Sequence, residues 1–189
     1  MILGFHGCDK EVGGGVLQGD IKHLQKSEND YDWLGHGIYF WENNPERALQ
    51  FASELKANPR RGKPVIKAPF VLGAVIDLGT CLNLLESKSL RLLKEAYDFL
   101  SEVNEKAGIP LPENKKDART GEPLRRNLDC AVIETLHGSD PDHYDTVRGV
   151  FQEGPELYPL SAFQKKNHIQ ICVRNPQCIR GYFRLLPEE

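Results

Sequence analysis

One stretch of nine residues, Trp33-Leu34-Gly35-His36-Gly37-Ile38-Tyr39-Phe40-Trp41, gathers aromatic side chains around two glycines. Gly35 and Gly37 permit backbone conformations or close approaches that a side chain would forbid. Residues 38–40 have the composition of a short strand, and Tyr39 points to the face opposite its two neighbours because strand side chains alternate. The pattern predicts a turn and then a strand that presents one tyrosine to one side of a sheet. A core strand entered by a tight turn has the same pattern, so both interpretations stay open.

A helix is predicted directly after this strand. Asn44 has the side chain of an N-cap, and Pro45 suits the first helical position. Four apolar residues recur at helical spacing, namely Ala48, Leu49, Ala52 and Leu55. The helix is expected to end near residue 57, because an Asn-Pro pair follows.

The remaining segments predict a mixed α+β domain. An apolar strand ends at His6-Gly7, and residues 8–20, with three successive glycines, are expected to form an irregular loop. Apolar periodicity predicts further strands at residues 69–79, 146–151, 168–173 and 178–183, and further helices at 87–106 and 128–136. No linker or repeat divides the chain, so residues 1–189 are expected to form a single domain.

Composition excludes several classes of protein. Hydrophobic residues make up 40% of the 189 and charged residues 27%, which is typical of a globular domain. No apolar run approaches the roughly 20 residues of a membrane span, and the N-terminus does not have the pattern of a signal peptide. The net charge of -3 argues against a protein that binds nucleic acid by bulk charge. Five cysteines without a Cys-x-x-Cys pair predict reduced thiols in a cytoplasmic protein and no metal site.

Two long loops carry further candidate residues. Residues 152–167 join two predicted strands, whereas a hairpin loop normally has about two to five residues. This loop is predicted to be a substrate loop, with four candidate residues, Glu153, Glu156, Tyr158 and Phe163. Residues 109–126 hold the main basic cluster, Lys115, Lys116, Arg119, Arg125 and Arg126. A solvated, mobile insertion would have the same polar composition.

Three segments in their order along the chain resemble the ADP-ribosyltransferase superfamily, on the branch of the poly(ADP-ribose) polymerases and diphtheria toxin. They are His6-Gly7, residues 37–40 and the late strand at residues 168–173. That branch carries a His-Gly on its first strand, a Tyr in a Gly-Ile-Tyr-Phe-like strand and usually a Glu on a late strand. Here the first two match at His6-Gly7 and at residues 37–40. The resemblance implies an α+β fold of two small, mostly antiparallel sheets with flanking helices and an NAD cleft between the sheets.

The resemblance also implies roles for the matching positions. Gly7 would offer its backbone to the nicotinamide amide, and His6 would hydrogen-bond ribose hydroxyls. Gly37 is a further candidate for binding NAD, and Tyr39 would stack on the nicotinamide ring, a contact worth roughly 1 kcal/mol. Phe51 is a candidate for a second stacking face.

The late strand departs from the family pattern. His168 and Gln170 should share one face of this strand, with Ile169 and Ile171 facing the core. Counting back from the closing strand favours Gln170 at the position of the usual Glu, with His168 as the alternative. A Gln amide brings no negative charge, so another carboxylate would have to enter, and Glu153 and Glu156 in the preceding loop are the candidates.

The function implied is a mono-ADP-ribosyltransferase that uses NAD and modifies a protein or a nucleic acid. Small transferases of this kind resemble toxins or defence effectors, for which an inhibitory protein partner is expected. Two alternatives remain open. An NAD glycohydrolase would use the same cleft with water as the acceptor, and a catalytically inactive NAD or ADP-ribose binder would explain the missing Glu.

Overall fold

The computed structural model describes residues 1–59, 64–116, 125–139 and 143–186. Within these ranges the elements follow in the order β1 (Ile2–Asp9), α1 (Lys10–Gln18), β2 (Ile38–Glu42), α2 (Pro45–Ala57), β3 (Pro69–Ile76), β4 (Cys81–Asn83), α3 (Ser87–Ala107), β5 (Asn114–Lys115), β6 (Arg125–Arg126), α4 (Asn127–Ser139), β7 (Thr146–Phe151), β8 (His168–Val173) and β9 (Ile179–Arg184). A 3-10 turn, Pro176–Cys178, precedes the last strand. The predicted α+β class is confirmed.

Seven strands form one mixed sheet in the order β4-β7-β8-β2-β1-β3-β9. The neighbours are antiparallel except β4 and β7, which run parallel. Strands β5 and β6 form a separate two-stranded sheet. The expected mostly antiparallel pairing is therefore present, but the expected division into two small sheets is not what the described residues form.

The two faces of the large sheet bury different parts of the chain. The face that we call the α1 face carries Ile38, Phe40 and Ile171, and helix α1 packs on it through Val16. The opposite face, the α2 face, carries Tyr39 and Trp41. Helix α2 covers one half of the α2 face, and helices α3 and α4 cover the other half. Between these two groups of helices lie the central strands β2 and β8.

The prediction of an irregular loop at residues 8–20 was wrong, because helix α1 occupies most of this segment. Asp9 caps the helix by accepting a hydrogen bond from the backbone N–H of Glu11, and Gly19 ends it with a φ of 86°. A Cβ added to Gly13 would lie 2.4 Å from the ring of Phe70. Glycine in this helix therefore permits close packing of the helix against the sheet, which outweighs its poor helix propensity.

Other predictions from sequence are confirmed with small changes in their bounds. Helix α2 begins after an Asn44 cap with Pro45 at its start, and it ends at Ala57. Helices α3 and α4 lie where the apolar periodicity placed them, α4 being longer than expected. Strand β3 ends at Ile76, three residues earlier than predicted.

Candidate functional site

Strands β1 and β2 lie side by side but separate after a short ladder. They pair only at Gly4 with Glu42 and at Phe5 with Trp41, whereas β1 pairs with β3 along its whole length. Past this point the ring of His6 bridges the two strands, because its Nδ1–H donates to the backbone carbonyl of Tyr39 at 2.7 Å. Burial lowers the pKa of His6, and this hydrogen bond partly opposes the effect.

Gly7 lies against helix α2. A Cβ added at this position would be 2.0 Å from the backbone oxygen of Ala48 and 3.3 Å from the side chain of Ala52. Gly7 is therefore closely approached by a helix of the same chain. The role in holding a nicotinamide amide remains a prediction from the resemblance.

Tyr39 points to the α2 face, as its alternation with Ile38 predicts. Its hydroxyl accepts a hydrogen bond from the N–H of Leu34 at 2.8 Å and donates one to the carbonyl of Gly35 at 2.7 Å. Burial raises the pKa of Tyr39 well above its ordinary value. The tyrosine thus holds the loop that precedes its own strand, and the predicted stacking on nicotinamide remains untested.

The two glycines of this loop have the properties that the sequence indicated. Gly35 has a φ of 75°, a conformation that side chains rarely adopt. A Cβ added to Gly37 would lie 2.5 Å from Sγ of Cys172. The adjacent His36 N–H donates to Glu134 at 2.7 Å, and Arg174 donates to the same carboxylate at 2.8 Å. The loop over the centre of the sheet is therefore fixed at several points.

Five rings gather on the α2 face between the two groups of helices. We call them the tryptophan cluster, and its members are Trp33, Trp41, Phe51, Phe151 and His168. Ring centroids are 4.7 Å apart for Trp33 and Phe151 and 4.9 Å for Trp41 and Phe51. The ring of His168 lies within 5.7 to 6.4 Å of Phe151, Trp33 and Trp41. The cluster joins the late strand to the central strand and to the loop above them.

Three charged residues border the tryptophan cluster. Arg47, only 4% exposed, donates from Nη2 to both oxygens of Glu153 at 2.9 and 3.0 Å. Oε2 of Glu153 also lies 3.9 Å from Nδ1 of His168. The guanidinium of Arg126 lies 4.4 Å from the centre of the Trp33 ring and 4.8 Å from that of Phe151. Glu153 therefore enters the cluster from the loop, as one of the two carboxylates that the sequence proposed.

Four buried polar atoms of this cluster have no hydrogen-bond partner in the part of the chain that the structure describes. They are Nε1 of Trp41, Nε and Nη1 of Arg47, and Nε2 of His168. His168 donates from Nδ1 to the carbonyl of Lys166 at 2.6 Å, which leaves a lone pair on Nε2. Burial lowers the pKa of His168, which favours this neutral form. The cluster and Arg47 therefore hold three donor nitrogens and one acceptor nitrogen without a hydrogen-bond partner among the described residues, and Nη1 of Arg47 forms an ion pair with Oε2 of Glu54 at 3.8 Å.

Gln170 lies on β8 on the same face as His168, opposite Trp41 of β2 and Gly149 of β7. It is half-buried, and no hydrogen bond from the described residues reaches its side-chain amide. The predicted shared face of His168 and Gln170 is confirmed by this register. Ile171 is fully buried on the other face as predicted, whereas Ile169 is only half-buried.

The loop at residues 152–167 has a folded structure of its own. Its backbone hydrogen bonds include Leu157 N–H to Phe163 carbonyl at 2.9 Å, and Glu156 accepts from the N–H of Leu160 at 3.1 Å. Four large side chains at its tip are 53 to 96% exposed, namely Leu157, Tyr158, Leu160 and Phe163. The predicted substrate loop thus divides into an inner part, which carries Glu153, and an exposed apolar tip.

The predicted basic cluster is only partly described. Arg125 lies 5.5 Å from the ring of Tyr31, and Arg126 belongs to the border of the tryptophan cluster. Lys115 pairs with Arg125 across the two-stranded sheet, and Lys116 is exposed. Arg119 lies outside the described residues. The two described arginines therefore stack on the aromatic loop that precedes β2.

The sequence did not single out Arg47 or Phe151. It named Trp33 and Trp41 only as members of the opening aromatic stretch, and Arg126 only as part of the basic cluster. Trp41 could have been found, because it shares a face with Tyr39 two positions away in the same strand. Arg47 and Phe151 reach the site only through the tertiary fold, and no local pattern marks them.

Two surface pockets have volumes of about 500 and 270 Å³. The first lies beside α1 and is lined by Gly14, Phe70 and Arg184, and the second lies between α3 and α4. Neither is lined by His6, Tyr39 or the tryptophan cluster. In the described ranges no group of three or more His, Cys, Asp or Glu side chains could hold a metal ion. None of the helices described is both long and apolar enough to cross a membrane.

No protein-family model, curated protein or solved structure matches this chain.

Proposed function

We propose that the protein is an NAD-dependent mono-ADP-ribosyltransferase. One observation carries the proposal: the sheet order β8-β2-β1 brings three distant segments onto adjacent central strands. These segments are the His-Gly strand with His6, the Gly-Ile-Tyr-Phe strand with Tyr39, and the late strand with Gln170. The first two segments are the motifs that match the family, and the third is the late strand, on which Gln170 stands in place of the usual Glu.

The reaction breaks the bond between C1′ of a ribose and the nicotinamide nitrogen. Nicotinamide leaves with the bonding electron pair, positive charge develops on the ribose, and the acceptor atom then bonds to C1′ and loses its proton. A carboxylate near the ribose stabilises that charge in the transition state. Glu153 supplies one next to the late strand, and its two hydrogen bonds to Arg47 hold it in place. The Glu that this strand lacks is thereby replaced from the loop.

Gln170 then orients a ribose hydroxyl in this proposal. Its amide lies on the same face as the tryptophan cluster and is free of hydrogen bonds to described residues, which suits a contact with substrate. His168, by contrast, uses Nδ1 to bind Lys166. His168 is also buried, whereas Gln170 is half-buried, and this difference in exposure favours Gln170 over His168 for the ribose contact.

The exposed tip of the 152–167 loop favours a protein as the acceptor. Leu157, Tyr158, Leu160 and Phe163 form an apolar and aromatic surface, and such residues are common anchors of protein interfaces. Single-stranded nucleic acid would be expected to meet aromatic residues with cations between them. Between Tyr158 and Phe163 this tip carries Leu160, and the lysines of the loop, Lys165 and Lys166, come only after Phe163.

The experiment is incubation of the protein and a cell extract with NAD labelled in its adenylate part. Label that becomes bound to macromolecules and disappears after protease treatment supports transfer to protein. Label removed by nuclease instead identifies nucleic acid as the acceptor. Free ADP-ribose alone shows an NAD glycohydrolase, and unchanged NAD with measurable binding shows an inactive binder; either result contradicts the proposal.

A further inference from the structure

Helix α3 carries its exposed charges in two separate blocks. The basic block comes first and consists of Lys88, Arg91 and Lys94, all of them exposed. The acidic block follows and consists of Glu95, Asp98, Glu102 and Glu105, which are also exposed. Because these residues recur at spacings of three or four, they share one face of the helix. A helix face that meets only solvent more often alternates the two signs of charge.

The order of the two blocks is unfavourable within the helix itself. The helix macrodipole favours acidic side chains near the N-terminus and basic side chains near the C-terminus. The first turn of α3 has no acidic residue, and the side chain of its N-cap, Glu86, makes no capping hydrogen bond. In the last turn Lys106 alone follows the favourable order. The arrangement of the blocks therefore needs a cause outside the helix.

Ion pairs within α3 use only part of these charges. Lys94 pairs with Asp98, and Lys106 pairs with Glu102, in each case at 2.5 Å and one helical turn apart. Four other charged residues form no ion pair with any residue in the described ranges, namely Lys88, Arg91, Glu95 and Glu105. Both ends of the helix therefore present charges that a second surface can meet.

Apolar side chains border the charged face on both sides. Phe99 is 61% exposed and Val103 is 44% exposed, and they lie one turn apart on one side. Leu90, on the other side, is 50% exposed at the edge of the pocket between α3 and α4. The inner face of α3 is already occupied, since Leu93 packs against the core around Ile133. Covering the exposed apolar side chains would add a favourable hydrophobic contribution to a contact at this face.

We propose that α3 is a dimerisation surface, on which α3 of a second copy of this chain packs in antiparallel orientation. A two-fold axis through the middle of the helices places the basic block of each copy against the acidic block of the other. Lys88 then lies opposite Glu105 of the second copy, and Arg91 lies opposite Glu102 of the second copy. The members of each pair are nearly equally far from the middle of the helix, so both pairs form in one arrangement.

The charge pattern selects this partner over others. A parallel pair of α3 helices would bring like charges together, which is unfavourable. A partner of one charge sign would attract one block and repel the other. A second copy of the same helix in antiparallel orientation complements both blocks at once.

The dimer is expected to be weak and sensitive to salt. A helix of 21 residues is about 30 Å long, so one helix from each copy gives a contact at the lower end of specific interface sizes. The charges are exposed, and high ionic strength screens them. The Kd of the dimer should therefore rise at least about tenfold when the salt concentration is raised from about 0.05 to about 1 M.

Sedimentation equilibrium of the whole protein tests the proposal. In about 0.05 M salt, at chain concentrations up to about 0.5 mM, the wild type should approach the mass of two chains. A wild type that stays monomeric under these conditions overturns the proposal. A dimer whose Kd does not depend on salt overturns it as well.

Two charge-reversed variants show whether α3 makes the contact. Lys88→Glu with Arg91→Glu gives the helix two acidic ends, and Glu102→Lys with Glu105→Lys gives it two basic ends. Each variant alone should dimerise at least about tenfold more weakly than the wild type, because like charges then face each other. An equimolar mixture of the two should form a heterodimer, since an acidic end again meets a basic end. Recovery in the mixture shows that neither variant lost its dimer by misfolding.

Lys22→Glu with Lys26→Glu is the matched control, because it changes the net charge as much as each α3 variant does, at exposed residues outside the helix. This control should dimerise as the wild type does. Loss of its dimer would show that overall charge, and not α3, governs association. Undiminished dimers of either α3 variant alone, or no heterodimer in the mixture, would place the contact elsewhere. Each of these results contradicts the proposal.

Discussion

The imidazole of His6 donates a hydrogen bond to the backbone carbonyl of Tyr39 across the point where strands β1 and β2 stop pairing. The side chains of the two residues nevertheless lie on opposite faces of the sheet. His6 packs near Phe40 on the α1 face, and Tyr39 packs with Leu34 on the α2 face. The two motifs that carry the resemblance are thus joined by a hydrogen bond from the side chain of His6 to the main chain of Tyr39.

The first prediction concerns Tyr39→Phe. This variant keeps the ring but leaves the N–H of Leu34 and the carbonyl of Gly35 without their partner. We expect a loss of about 1–3 kcal/mol in the free energy of unfolding, measured by chemical denaturation. Tyr158→Phe is the control, because that ring is largely exposed, and its effect should stay within about 0.5 kcal/mol. Equal stability of the two variants would show that the Tyr39 hydroxyl does not hold the loop.

The second prediction compares two glycines. Gly7→Ala places a methyl group against the backbone of Ala48, and moving helix α2 is expected to cost about 1–3 kcal/mol or more. Gly14→Ala lies in helix α1 with no atom within 4 Å of the added carbon, so it should stabilise by roughly 0.5–1 kcal/mol. The melting temperatures of both variants, compared with that of the wild type, test the two predictions. A neutral Gly7→Ala would mean that α2 does not pack on β1 as described.

The two glycine predictions also show what sequence reasoning reached and what it missed. The caps of α2 and the alternation in β2 are local signals, and both predicted elements formed. The glycines in residues 13–15 were interpreted as breakers of structure, whereas the contact of Gly13 with Phe70 comes from a strand more than 50 residues away. The pairing of Arg47 with Glu153 likewise spans 106 residues, and no local pattern could predict it.

The third prediction concerns pH. His137 is buried, both its ring nitrogens lack partners among the described residues, and burial lowers its pKa to about 4. Arg174 and His143 disfavour its protonation and Glu134 favours it. Because the unfolded chain binds this proton more readily, stability is complete above about pH 6.5 and falls as the pH drops towards 4. The loss attributed to this residue is on the order of 3 kcal/mol.

Denaturation of wild type and His137→Leu at pH 7, 5.5 and 4 measures this effect. The other histidines with lowered pKa contribute in the same direction in both proteins. The difference between the two proteins in the slope of unfolding free energy against pH therefore gives the contribution of His137. The same dependence of unfolding free energy on pH in both proteins would contradict the lowered pKa of His137.

The fourth prediction concerns Glu153→Gln. Loss of the negative charge should lower the rate of ADP-ribose transfer on the order of a hundredfold, because the developing positive charge loses its stabilising partner. Glu42→Gln is the matched control, since Glu42 is equally buried and also makes two hydrogen bonds to an arginine, Arg148, on the α1 face. We expect the two variants to lose similar stability and only Glu153→Gln to lose activity. Equal transferase activity of the two variants would show that Glu153 takes no part in the reaction.

The most direct test of the transferase is one incubation with NAD labelled separately in its nicotinamide and adenylate parts. The proposed function predicts that each nicotinamide released is matched by one ADP-ribose bound to a macromolecule, and that Glu153→Gln lowers both together. Release of nicotinamide with all adenylate label recovered as free ADP-ribose would contradict transfer. Intact NAD after prolonged incubation with extract would contradict the enzyme altogether.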